Sequence, residues 1–149
     1  MARALLILLF AGGLAGCKAC EHAPVPKDDE PKIKAILEAD GKLDRALKEA
    51  DDESAKGNDA KAAEVLDSKA TAAADDAIRV AEAQTPVTGW GNEQKGALLG
   101  VLHERRDAIP PYAKALRSDD LDAKLGAVEK QIDLEKRAMD VASKASQTP

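Results

Sequence analysis

Between Pro31 and Ser146, apolar side chains recur at three- and four-residue intervals through four stretches of nearly equal length, the pattern of amphipathic helices, and no strand is expected. Pro31 suits a first helical turn, and Ile33, Ile36, Leu37, Leu43, Leu47 and Ala50 carry that helix to about Lys56, past a weak point at Asp40-Gly41. Gly57-Asn58 makes a turn, and Asp59 to Gln84 forms a second helix with Ala63, Leu66, Ala70, Ala73, Ala77 and Val80 on its inner face. Thr85 to Gly91 is the one long loop, and Asn92 is the expected cap of a third helix bearing Leu98, Leu99, Val101 and Leu102. That helix meets Pro110-Pro111, which imposes a kink or a break before Tyr112 and Leu116 resume the pattern. Ser118, Asp119 and Asp120 open a last helix with Leu121, Leu125, Val128, Ile132, Met139 and Ala142 on one side.

Each segment of roughly 26 residues makes a helix about 40 Å long, and short turns force antiparallel neighbours. The prediction is all-α: an antiparallel up-down four-helix bundle over residues 31–146, with 147–149 disordered. The chain is 44% hydrophobic but only 2% aromatic, with alanine supplying much of the apolar count, so its core depends on close helix packing. Gly96 and Gly100, four apart on the third helix, are expected to permit close approach to the alanine-rich second helix; a dimer contact is the other reading of the pair.

The N-terminus is of a different kind. One basic residue, Arg3, precedes an apolar run from Leu5 that lasts about a dozen residues before Gly12, Gly13 and Gly16 dilute it, and a bilayer-spanning helix needs about 20. The run ends in Leu14-Ala15-Gly16-Cys17, which resembles the lipobox of bacterial lipoproteins. The resemblance implies that residues 1–16 are a cleaved signal, that Cys17 is the lipidated first mature residue, and that two or three acyl chains such as palmitate anchor it. More than one chain is what stable anchoring requires. Lys18 follows Cys17 in place of the aspartate that retains enteric lipoproteins at the inner membrane, which points to the periplasmic face of the outer membrane where two membranes exist. Residues 17–30, with Pro24 and Pro26, read as the lipidated cysteine and a flexible tether reaching up to about 40 Å.

Loss of Arg3 makes the net charge of −5 one unit more negative, and an acidic chain without a basic face excludes nucleic acid as a partner. Catalytic and metal motifs fall short. Cys17-Lys18-Ala19-Cys20 is followed by Glu21 and only then His22, so the haem-attachment spacing fails, and Cys17 is claimed by the lipid. His103-Glu104-Arg105-Arg106-Asp107 starts like a zinc-protease helix but has Asp107 where the second histidine belongs. Gly100 stands where a di-iron bundle needs a glutamate. No cofactor, metal ligand or catalytic residue is assigned. Asp51-Asp52-Glu53 and Asp75-Asp76 read as solvated faces, and Lys34/Glu38, Asp133/Arg137 and Asp140/Lys144 as surface pairs one turn apart.

Gly41-Lys42-Leu43-Asp44-Arg45-Ala46-Leu47 and Gly57-Asn58-Asp59-Ala60-Lys61-Ala62-Ala63 resemble the opening of a tetratricopeptide helix, without the 34-residue period or the large aromatics. The leading expectation is a lipid-anchored, non-catalytic envelope protein that acts as a structural or protein-interaction module with an envelope protein as partner. A tetratricopeptide-like peptide-binding scaffold is the alternative, and an envelope metal handler or enzyme a second one. Trp90, between Gly89 and Gly91, has two readings: a plug that folds back between the second and third helices, or an outward anchor for a partner.

Overall fold

The computed structural model describes residues 24–149. A 3-10 turn over Pro26–Asp28 leads into α1, Glu30–Ala55. The second helix, α2 (residues 59–83), consists of an α-helical part Asp59–Val65, a π turn Leu66–Ala70 and a second α-helical part Thr71–Ala83. Helix α3 is Gly89–Leu116 and α4 is Leu121–Ala145. The fold is an all-α four-helix bundle, and there is no strand among the described residues.

Every turn between helices has a local cause. Gly57 adopts φ 81°, a left-handed conformation that ends α1 and that side chains other than glycine disfavour. Helix α3 begins four residues earlier than the pattern suggested: Thr88, not Asn92, is its cap, accepting from the Gly91 amide at 3.0 Å. Asn92 instead donates its side-chain amide to the Thr88 carbonyl at 2.8 Å. Asp120 caps α4 by accepting from Ala123 at 3.1 Å.

The helix α3 passes through Pro110-Pro111 without ending. Each proline removes an N–H from the ladder, orphaning the carbonyls of Arg106 and Asp107. Both prolines and Asp107 are exposed, so those carbonyls lie toward solvent while Ile109, Tyr112 and Ala113 stay in the core.

The core is made of the inner faces of α1, α2 and α3: Ile33, Ile36, Leu43 and Leu47 from α1, Leu98, Leu102, Ile109 and Leu116 from α3, and a floor of alanines between them. The π turn accommodates one extra residue per turn, and Thr71 Oγ1 donates to the Leu66 carbonyl within it at 3.0 Å. It shifts the buried register that follows, so that Ala74 and Ala81 are buried where the pattern indicated Ala73 and Val80, which are only half-buried.

The folded part starts before Pro31. Asp29 is fully buried and accepts from the Val87 and Thr88 amides at 3.0 and 2.8 Å, from Thr88 Oγ1 at 2.7 Å and from Lys32 Nζ at 2.7 Å. This clamp ties the start of α1 to the start of α3. Burial works to raise the Asp29 pKa, but the Lys32 charge and the Thr88 and Val87 donors outweigh it and hold the carboxyl well below the usual range. Gly91 is obligatory beside it, because a Cβ there would fall 2.3 Å from Asp29 Oδ2.

Candidate interaction surface

Helix α4 packs chiefly on α3. Its inward line is Gln131, Leu134, Ala138 and Ala145, with Ala127 and Val141 partly buried beside them. The α3 side chains buried outside the central core, Val101, Ala108 and Ala115, are small and spaced one heptad apart, and this narrow seam admits small partners. Two ion pairs flank the junction: Arg137 grips Glu104 with both terminal nitrogens, and Lys124 reaches Asp59 on α2 at 2.5 Å.

The large apolar side of α4 is therefore left open to solvent, its middle residues Val128 and Ile132 bordering a groove against Asp51, Ser54 and Ala55 of α1 and Tyr112 of α3. Leu121 is 67% exposed, Leu125 53%, Ile132 44% and Met139 66%, and Val128 sits at the boundary with 36%. The expectation that this side is the buried one is corrected: the line that packs on α3 is Gln131, Leu134, Ala138 and Ala145, against the small α3 side chains Val101, Ala108 and Ala115. The five residues succeed one another at intervals of four and three, with Glu135 at the one polar step, so they form a continuous line rather than scattered singletons.

Beside this line, between α4 and α1, runs a polar cleft of about 220 Å³ where Asp44, Asp51 and Asp52 of α1 face Gln131 and Glu135, with Arg105 at its base. Arg105 is 1% exposed and forks between Asp40 and Asp44, one turn apart on α1. Its Nε is buried without a partner. Burial raises the Asp40 pKa and the Arg105 charge opposes it. Tyr112 donates to Asp51 at 2.9 Å, and burial, together with the neighbouring carboxylates Glu135 and Asp52, pushes the Asp51 pKa up against that bond. Burial and the Asp51 charge push the Tyr112 phenol up as well.

Trp90 is not in a loop. It is the second residue of α3, half-buried and packed against the core. It lies at the bundle end between α1 and α4, not between the second and third helices, and lines an open cavity of about 560 Å³ with Ile33, Leu37, Ala145 and Thr148.

Other expectations change too. Gly96 and Gly100 are exposed and a side chain there would meet no neighbour within 4 Å, so they mediate no close helix approach within the bundle. His103 is exposed on α3, and no group of three metal-ligating side chains occurs among the described residues. Glu53 is buried, not solvated: Lys56, Lys61 and Asn58 all donate to it and lower its pKa to about 2. Arg137 pairs with Glu104 rather than Asp133, whereas Lys34 pairs with Glu38 at 3.9 Å and Lys144 with Asp140 at 2.8 Å as the spacing indicated. Gly41 lies inside α1, where a tetratricopeptide helix would have to begin. Leu14, Ala15, Gly16, Cys17, Cys20 and His22 lie outside the described residues.

Arg105 and Asp29 escaped sequence reasoning. The first carried a signal: Asp40 falls four residues after Ile36, and Arg105 three after Leu102, so each occupies a core-facing position on its helix. Asp29 carried none, since its partners lie 58 and 59 residues away. No described helix is long and apolar enough to cross a membrane. The chain matches no protein-family model, no curated protein and no solved structure.

Proposed function

We propose that this chain is a lipid-anchored protein of the bacterial cell envelope that works as a non-catalytic protein-interaction module, with the outward face of α4 as its contact surface. The observation that carries the reading is the exposed apolar line Leu121, Leu125, Val128, Ile132 and Met139, interrupted only at Glu135 and left open to solvent by a helix whose packed side faces α3. Water penalises such a line at about 25 cal/mol per Å² of apolar surface, and a partner removes that penalty. The lipobox-like Leu14-Ala15-Gly16-Cys17 supports the anchor and, with Lys18, the periplasmic face of the outer membrane where two membranes are present.

Two experiments test the two halves. Cells fed an alkyne fatty acid should label the wild-type chain and not Cys17→Ser; equal labelling of both refutes the anchor. Leu125→Glu should leave the far-UV spectrum and melting temperature near wild type, because the residue is half in solvent already, while abolishing the chain's cross-links to its envelope partner. Cross-linking that survives the charge refutes the contact surface.

A further inference from the structure

The occupant of the α4 face has to offer an apolar line of the same length, about 27 Å from Leu121 to Met139 at 1.5 Å per residue. Resting on the reading of this face as the contact surface, we infer that the occupant is α4 of a second copy of the chain, laid antiparallel across a two-fold axis. The four-three spacing is that of a coiled-coil seam. In the antiparallel register centred on Lys130, Val128 meets the partner's Ile132, Leu121 meets the partner's Met139, and Leu125 meets the aliphatic stem of the partner's Glu135. All five exposed apolar residues are covered at once. Sliding by one heptad toward the C-terminus strands Leu121 and brings Glu135 beside the axis, next to the partner's Ile132.

Charge supports the same register. The solvent flank of the line carries Asp122, Glu129 and Lys136, all exposed and free of ion pairs among the described residues. Antiparallel seams bring equivalent flank positions together, so Asp122 faces the partner's Lys136, and by symmetry the pair occurs twice. Glu129 faces its own copy at the centre. That single like-charge contact weakens the association without blocking it, which suits a reversible dimer. The opposite flank is already occupied, since Lys124 is held by Asp59 and Gln131 is buried, so the contact closes on one side only. Anchoring through Cys17 would confine copies to one surface and raise their effective concentration.

The test is disulfide trapping in intact cells with the full chain, in a Cys20→Ser background that leaves Cys17 for the lipid. Chains with Val128→Cys and with Ile132→Cys, carrying different tags, are co-expressed and oxidised. The expected product is the mixed disulfide between the two tags. Chains with Leu121→Cys and Leu125→Cys, about 21 Å out of step in this register, should give none. Asp122→Lys or Lys136→Asp alone should lower the mixed yield about fivefold, the two together should restore it, and Glu129→Gln should raise it. A product joining only like positions indicates a parallel pair and overturns the inference. So does the absence of any disulfide. If a photo-cross-linker at Leu125 meanwhile yields an adduct of a different mass, self-association is overturned while the contact-surface reading stands.

Discussion

The fork of Arg105 between Asp40 and Asp44 gives the most quantitative prediction. Removing the guanidinium with Arg105→Ala leaves Asp40, 7% exposed, as an uncompensated buried carboxylate beside an emptied volume. Breaking a buried pair in this way costs about 3–5 kcal/mol, a large share of the roughly 5–15 kcal/mol that holds a domain together. At about 3–5 °C per kcal/mol for a domain of this size, the melting temperature should fall by about 10–25 °C. The loss has a pH signature. Without Arg105 the Asp40 carboxyl, raised by burial, binds a proton more readily in the folded than in the unfolded state, so the variant gains stability as pH falls and its deficit narrows toward pH 5. Replacing the pair by apolar residues, Arg105→Met with Asp40→Leu, should recover most of the loss, because it removes both desolvated charges together. Urea titrations followed by far-UV circular dichroism at pH 7 and pH 5 measure all of this. The reasoning is refuted if Arg105→Ala unfolds at the wild-type midpoint, or if the double apolar variant is as unstable as the single one.

Other outcomes follow from the same contacts. Asp29→Ala orphans the Val87 and Thr88 donors at the junction of α1 with α3 and should cost about 2–4 kcal/mol by urea titration, so deletions reaching Asp29 destabilise the bundle, contrary to the behaviour of a pure tether. Glu53, with its pKa lowered to about 2, contributes stability that is complete above its unfolded value near 4.3 and is lost as pH falls toward 2; Glu53→Gln should flatten the acid limb of the stability curve in that window. Trp90→Ala removes a half-buried indole and should cost about 1.5–3 kcal/mol, less than a fully buried tryptophan, and the wild-type emission should lie to the blue of free tryptophan in water.

The helices were legible because alanine and leucine at three- and four-residue spacing leave little choice, and because Gly57 and Asp120 supply local stop and start chemistry at two of the turns. The outward turn of α4 was not. That helix has one line of mostly large apolar residues and another that mixes alanines with Gln131, Leu134 and Val141, and size alone favours burying the first. What decides is the partner: the α3 seam of Val101, Ala108 and Ala115 takes the line of Leu134, Ala138 and Ala145, while α1 presents chiefly charged side chains, Asp44, Lys48, Asp51 and Asp52, across the cleft. Neither fact is visible within the sequence of α4. The start of α3 at Thr88 and not at Asn92 has a related reason, since distant Asp29 holds the Thr88 amide and hydroxyl.

The most direct measurement is a photo-cross-linking side chain placed at Leu125 in the full chain in living cells, with the same side chain at exposed Glu64 on α2 as reference. A contact surface on α4 predicts one discrete adduct from position 125, at twice the mass of the chain if a second copy is the occupant, and none from position 64. No adduct at position 125, or the same adducts from both positions, would contradict it.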